Sequence, residues 1–336
     1  MGESSSETTG VAQRSRHLWL TVLLGTIVCC LAVAVMPSTY VVADDLGVQM
    51  ILAGEDGFAP AAEVPFFSLS LNYILVTLYQ WFPAMPWYGL LLTVTQAIGL
   101  SLLLYSLMVK LKEIPWLGLV FPFFLIFSTY ALLALTFTQA TLTLIFGVGA
   151  VVALRGTSTP WPVPTRRGLA LLLLWALLWR WKFGICCLVF FAPLFVIQFK
   201  QLRQYLSLLG IVACFLACDR ALNYVTSSDD WNQYLEFYDA RARLFDMPSG
   251  RAGEHLDASL QAAGWSEGDY RLIRDTWMLY DQRLTSTESM EAFMNAVADH
   301  GGASITEQVK GNLLENATLL KAFLPIGIAV LLCFSR

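Results

Sequence analysis

Residues 18–36 read LWLTVLLGTIVCCLAVAVM, an uncharged run preceded at once by Arg14, Arg16 and His17. A helix needs about 20 apolar residues to cross the hydrocarbon core of a bilayer. The run is longer than the apolar region of a cleaved signal peptide, and further runs of the same kind follow it. It therefore reads as an uncleaved first transmembrane helix. Working outward, further spans are expected at Trp87–Val109, Trp116–Leu135, Thr138–Leu154, Gly168–Leu178, Gly184–Phe199, Tyr205–Ala221 and Leu319–Phe334. The expected fold is all-α: a polytopic membrane helical bundle of about eight transmembrane helices.

Composition agrees. Of 336 residues, 57% are hydrophobic and 14% charged, against about 25% charged in soluble domains. A soluble enzyme, a disordered chain, a disulfide scaffold and a basic nucleic-acid binder are excluded. Net charge is −4, with sixteen Asp/Glu against seven Lys/Arg in residues 222–317. The remainder is slightly basic. The seven cysteines all lie in apolar segments and read as small buried residues. No disulfide or zinc site is expected.

Basic residues orient the bundle, because cytoplasmic loops carry an excess of Lys and Arg. If Phe66–Phe82 does not cross, Arg14/Arg16, Lys110/Lys112, Arg155/Arg166/Arg167 and Lys200/Arg203 all fall inside, and residues 37–86 hold no Lys or Arg. Phe66–Phe82 is therefore expected to be a re-entrant or interfacial helix. The organisation that follows is a cytoplasmic tail at 1–17, a membrane core at 18–221 with an acidic outer loop at 37–86, an outer helical subdomain at 222–318, and a last span at 319–336. The chain reads as a compact protein or a truncated copy of a longer one.

Two features stand out against that topology. Asp44-Asp45 follows the first span directly and is flanked by Val41, Val42, Ala43 and Leu46 rather than by polar sequence. Carboxylates this close to a membrane core are solvated, paired or used, and a solvated helix end is the plain alternative to a site. Arg180 and Lys182, in Trp179-Arg180-Trp181-Lys182, break the charge rule by falling at an outer boundary. They are either a snorkelling pair or ligands for an anion. Glu55-Asp56, between Gly54 and Gly57, has the look of a turn. Thr138 and Gln139 lie in a tight outer turn, and Trp81, Trp87, Tyr88, Trp179 and Trp181 lie at the expected outer boundary. Such aromatics form the interfacial belt of any membrane protein and can also stack on sugar rings.

In the outer subdomain, Ser266-x-x-Asp269 reads as a helix start, followed at helical spacing by Tyr270, Ile273, Trp277, Tyr280 and Leu284. Thr285-x-x-Glu288 is a capping-box pattern before the stripe Met290, Phe293, Met294 and Val297. These side chains are expected to form the subdomain core. Trp231–Asp246 alternates aromatic and charged residues and reads as a helix on the membrane or over a site. There is no phosphate-binding glycine loop, HExxH or Gly-x-Ser-x-Gly, and His17, His255 and His300 share no motif.

The layout resembles the GT-C superfamily of integral membrane glycosyltransferases, which use polyprenyl-phosphate-linked sugars. The resemblance rests on Tyr40-Val41-Val42-Ala43-Asp44-Asp45 after the first span, on Asn72 through Leu78-Tyr79, Phe82-Pro83 and Pro86-Trp87-Tyr88, and on Leu171–Lys182, which is similar to a span ending in Arg. It implies sugar transfer from a polyprenyl-phosphate donor to a glycan, lipid or protein acceptor on the outer face of a prokaryotic plasma membrane, as in cell-envelope polysaccharide biosynthesis. It implies an acid of the pair, Asp44 first and Asp45 second, as catalytic base, and Arg180 with Lys182 on the lipid phosphate. Gln139, Glu55, Asp56, Trp87 and Tyr88 are further candidate substrate contacts. Asp44, Asp45 and Glu55 offer a possible divalent-metal site, without a complete ligand set. No nucleic-acid partner is expected. Two other classes stay open: a surface-polysaccharide polymerase or ligase relying on Arg180, Arg241 and Arg243, and a transporter or scaffold without catalysis. The apolar span interiors speak against a transporter.

Overall fold

The computed structural model describes residues 3–36, 38–40, 43–55, 59–65, 67–113, 118, 121–154, 162–197, 199–246, 256–276 and 286–300. Two compact units divide at residues 225 and 226. The first holds α1 (Glu3–Val35), β1 (Thr39–Tyr40), α2 (Ala43–Ala53), α3 (Leu69–Trp81), α4 (Trp87–Glu113), α5 (Phe121–Leu133), β2 (Ala134–Leu135), α6 (Phe137–Ala153) and α7 (Val163–Ile197), with nearly all of α8 (Phe199–Thr226).

Among the described residues three helices are long and apolar enough to cross a membrane: Ser15–Val35 of α1, Trp87–Leu111 of α4 and Val163–Leu188 of α7. The α1 side chains Leu20, Leu23, Leu24, Ile27, Val28 and Leu31 are exposed, as are Phe123, Leu125, Ile126 and Tyr130 of α5. Apolar surface of this extent is foreign to a water-facing monomer and natural against lipid. Helices α5 and α6 are apolar, with 13 and 17 residues, about 20 and 26 Å at 1.5 Å per residue; α6 matches the expected Thr138–Leu154 to within one residue, while α5 is shorter than the expected Trp116–Leu135, whose residues 116, 117, 119 and 120 lie outside the described residues. Gly168–Leu178 and residues 184–197, expected in separate spans, lie on either side of a break in α7, where Arg180 leaves helical geometry (φ −158°, ψ 78°). No Gly or Pro interrupts residues 169–183, so a helix stop is absent from the sequence there. Leu319–Phe334 lies outside the described residues.

The core lies where α1, α4, α6 and α7 pack together. Helices α4 and α6 approach most closely at two glycines. A Cβ on Gly99 would lie 2.7 Å from the Leu144 amide nitrogen, and one on Gly147 would lie 2.7 Å from the Gly99 carbonyl oxygen. Small residues permit this backbone contact between apolar helices, where van der Waals packing drives association. Buried polar groups pair across the same helices, Gln96 Nε2 to Thr143 Oγ1 at 3.0 Å and Trp175 Nε1 to Thr95 Oγ1 at 2.7 Å.

Helix α3 covers most of the expected non-crossing segment Phe66–Phe82. Ser68 caps it by accepting the Leu71 amide at 3.2 Å, and Pro83 stands just past its end. Thirteen residues are too few to cross a bilayer. One face buries Leu71, Asn72, Leu75 and Tyr79, while Tyr73, Ile74 and Trp81 are exposed.

The second unit contains α9 (Asp229–Asp246), α10 (Leu256–Ala263), α11 (Glu267–Thr276) and α12 (Thr287–His300). Its core joins Ala240, Leu244, Leu260, Trp265, Tyr270, Ile273, Met290, Phe293 and Val297. The Phe293 ring stacks against both Trp265 and Tyr270, at 5.2 and 5.3 Å between centroids. Helix α11 begins at the expected start, where Ser266 and Asp269 form a reciprocal cap: the Asp269 carboxylate accepts the Ser266 amide at 2.8 Å, and Ser266 Oγ accepts the Asp269 amide at 3.2 Å. The cap of α12 is Ser286, whose Oγ accepts the Ser289 amide at 3.1 Å. That is one residue later than the Thr285 pattern proposed from the sequence. Trp277, Tyr280, Leu284 and Thr285 lie outside the described residues.

Candidate functional site at the starts of α2 and α6

Two residues of parallel pairing organise the site. Thr39 aligns with Ala134 and Tyr40 with Leu135, so the chain entering α2 runs beside the chain entering α6. Both helices consequently begin at the same place. The first four N–H groups of a helix lack intrahelical acceptors and carry its positive dipole end. Asp45, in the first turn of α2, supplies an acceptor to α6. Its Oδ1 accepts the Phe137 amide at 3.2 Å and the Tyr88 hydroxyl at 2.5 Å. Thr136 caps the same helix by accepting the Thr138 amide at 3.2 Å.

The cation arrives from α7. At the Arg180 break the guanidinium donates to Thr138 Oγ1 and lies over the Phe137 ring, 5.0 Å from its centroid. Asp45 and Arg180 are thus held on consecutive residues, Phe137 and Thr138, of one helix start, and they interact electrostatically. Phe67 packs edge-on against both Phe137 and Trp179, with centroids 5.1 and 5.5 Å away. Tyr79 Oη accepts the Tyr88 amide at 3.0 Å, and the Tyr40 hydroxyl donates to Gln49 at 2.5 Å. Burial raises the Tyr40 hydroxyl pKa, with Tyr79, Asp45 and Glu55 adding to the shift; burial also raises Tyr79.

The sequence candidates separate clearly. Asp45 is wholly buried, with Oδ2 lacking a hydrogen-bond partner among the described residues, whereas Asp44 is exposed. Arg180, Tyr88 and Asp45 come together. Gln139 is half-buried in the first turn of α6, beside Thr138. Lys182 is exposed, its Nζ 5.9 Å from the Trp181 ring centroid. Trp87 is half-buried and donates its indole N–H to the Phe82 carbonyl at 3.0 Å. Glu55 is exposed just past α2, close enough to act electrostatically on Tyr40. Asp56 lies outside the described residues. Among the described residues no three His, Cys, Asp or Glu side chains gather as a metal site. Arg243 is engaged within its own unit by Asp239 and Glu291, at 3.4 and 3.0 Å. Arg241 lies over the Tyr238 ring at 5.8 Å.

Sequence reasoning missed Asp219 and Arg220, at the end of α8. The Asp219 carboxylate accepts the Ser70 hydroxyl at 2.6 Å and the Ser70 amide at 3.3 Å, so it caps the start of α3. The same helix start is tied to α7 by the Ser68 amide donating to the Leu178 carbonyl at 2.9 Å. Two adjacent charges within or beside an expected span were the available signal, since ionisable groups at membrane depth are costly and usually paired or functional.

No family model, curated protein or solved structure matches this chain.

Burial pushes the Asp45 carboxyl above its ordinary value near 3.8; the Tyr88 hydroxyl, the Phe137 amide and Arg180 pull it down, Asp44 pushes it up, and the net direction is up. A folded pKa above the unfolded one means that folding favours the proton. The contribution to stability is complete below the unfolded pKa and is lost as pH rises through the folded value. The thermal midpoint of the wild-type chain should fall, relative to Asp45→Asn, as pH rises from about 4 upward. Coincident pH profiles would mean that this carboxyl titrates as if exposed. Asp45→Ala should cost more, because the Phe137 amide and Tyr88 hydroxyl would lose their acceptor, at about 1–3 kcal/mol for each buried group left unpaired.

Proposed function

We propose that this protein is a membrane glycosyltransferase that moves a sugar from a polyprenyl-phosphate donor to an acceptor at the outer face of the plasma membrane. In this reading the chain has about eight membrane segments and a GT-C-like fold, with a cytoplasmic N-terminus and the Asp45–Arg180 end outside. The observation that carries it is the meeting of Asp45, the buried member of the acidic pair, with Arg180, one of the two cations that break the charge rule, at the start of α6.

The chemistry follows from the placement. A sugar hydroxyl is a weak nucleophile near neutral pH, and a carboxylate can take its proton as the new bond forms. Asp44 is the pair's solvent-facing member and fills that role. Asp45 positions it by fastening the first turn of α2 to α6 and Tyr88. As the acceptor oxygen bonds to the anomeric carbon, the bond from that carbon to the phosphate oxygen breaks. Polyprenyl phosphate leaves with the bonding electrons. Arg180, a planar fork of N–H donors, stabilises the charge developing on that phosphate. Lys182 supplies a second positive charge nearby. Direct displacement inverts the anomeric centre. A polyprenyl tail suits the apolar surfaces of α1 and α5.

The test uses the purified full chain in lipid nanodiscs with a panel of polyprenyl-phosphate-linked hexoses and pentoses. One donor should yield free polyprenyl phosphate together with an inverted glycosidic product, both requiring acceptor. A well-folded preparation that releases no lipid phosphate from any donor with a broad acceptor mixture would sink the proposal.

A further inference from the structure

Helix α7 breaks at Arg180 although no Gly or Pro stands within residues 169–183. Leu, Ala and Arg, which fill most of that stretch, are good helix formers. A sharp kink in such a sequence arises where another group enters the ladder of backbone hydrogen bonds. The entering group is visible. In an unbroken helix the Leu178 carbonyl accepts from the Lys182 amide, and Arg180 lies midway between those two residues. Here the Leu178 carbonyl accepts the Ser68 amide at 2.9 Å. The Ala176 carbonyl, the helical acceptor for Arg180 itself, is approached by the Thr141 hydroxyl at 3.4 Å.

The neighbours of Ser68 drive the same point home. Phe67 is buried edge-on between Trp179, the residue before the break, and Phe137, the ring that Arg180 lies over. Ser70 is tied to α8, where the Asp219 carboxylate accepts its hydroxyl and its amide. The stretch Phe67–Ser70 is therefore pressed into α7 on one side and held by α8 on the other. The consequence falls on Arg180. Helical side chains lean toward the N-terminus of their helix. An unbroken α7 would lean Arg180 back along the face of Leu173, Ala176 and Leu177, which belong to the apolar core. With the break, the guanidinium reaches Thr138 Oγ1 at the start of α6.

We infer that Phe67–Ser70 is a wedge that opens α7 and thereby aims Arg180, with Asp219 as its brace. Phe67, Ser68 and Asp219 are positioning residues for the guanidinium. The cause of the break is independent of the reaction. Its catalytic consequence rests on the transfer proposed above and deepens it.

The test compares Ser68→Pro with Ser68→Ala in the full chain in nanodiscs. Ser68 has φ −71°, within the range of proline. Proline removes the amide and the capping hydroxyl, whereas alanine removes the hydroxyl alone. Two measurements are made. Spin labels carried by non-natural residues at positions 171 and 185, both exposed, report the break as a distance; a straight helix separates those backbones by about 21 Å. Transfer rates are measured in wild-type and Arg180→Ala backgrounds. Ser68→Pro should move the distance toward the straight-helix value and lower kcat about tenfold to a hundredfold, the cost of a misplaced group, with little change in KM. In the Arg180→Ala background it should lower kcat little further, because the two changes act on one group. Ser68→Ala should keep the wild-type distance and rate. If Ser68→Pro does not fold, Asp219→Ala carries the test: it should show smaller shifts of the same kind, and Asp219→Asn, whose amide oxygen still accepts from Ser70, should restore them. A wild-type distance in the folded Ser68→Pro chain would overturn the wedge. Equal proportional losses of kcat in both backgrounds would overturn the positioning role, leaving only a structural one. A shifted distance in a chain whose wild type transfers no sugar would overturn the transferase reading and leave the wedge standing.

Discussion

Arg180→Ala should lower transfer by about a hundredfold to a thousandfold, the range for removing one preorganised donor from a developing charge. The loss should appear in kcat more than in KM, because the phosphate is most negative as the bond to the sugar breaks. Arg180 is half-buried, bonded to Thr138 and set against Phe137 and Phe183. Alanine therefore removes packing as well as charge. Arg180→Lys separates the two effects. Lysine keeps the charge but not the two-pronged geometry, so activity should recover by a minor fraction. Thr138→Val removes the hydroxyl that holds the guanidinium and should give a smaller loss of the same kind. Steady-state rates from the nanodisc assay check all three. Retained kcat in Arg180→Ala, in a preparation with the wild-type thermal midpoint, would remove Arg180 from the phosphate role.

The sequence exposed some of this site and concealed the rest for physical reasons. Arg180 was legible because, in the topology expected from the sequence, it falls at an outer boundary where Lys and Arg are scarce. Asp44-Asp45 was legible as a pair, since two carboxylates between apolar neighbours need an explanation. Which member turns inward was not legible. Successive helical residues point about 100° apart, and the inward direction at Asp45 is set by Tyr88 and Phe137, which lie 43 and 92 residues away. The pairing of Thr39–Tyr40 with Ala134–Leu135, which brings those partners together, is too short to carry a strand pattern. Ser70 and Asp219 are separated by 149 residues, so neither announced the other. At α7 the charged pair resembled a boundary between two spans. The backbone does leave helical geometry there, at Arg180 itself, although no Gly or Pro marks the position. The subdomain core at Tyr270, Ile273, Met290, Phe293 and Val297 was readable because local periodicity alone determines which side of a helix is apolar.

Asp44→Asn should reduce kcat by about a hundredfold to ten-thousandfold while leaving the fold unchanged, the span attributed to a positioned proton acceptor. The carboxylate is exposed at the first turn of α2. Asparagine preserves its size and removes only the capacity to take a proton. Asp45→Asn provides the contrast. Its amide oxygen can still accept from Phe137 and Tyr88, so α2 stays fastened and the loss of activity should be distinctly smaller. If the order is reversed, with Asp45→Asn abolishing transfer and Asp44→Asn nearly silent, the buried acid is the base, and the first turn of α2 must open to admit the acceptor. The pH profile distinguishes the same alternatives. With Asp44 as base, the acidic limb of kcat should stay in place in Asp45→Asn. With Asp45 as base, the wild-type limb should lie above the ordinary aspartate range, in keeping with the upward displacement of that buried carboxyl. Loss of activity in neither variant would leave proton removal to another group and end the assignment of this acidic pair to catalysis.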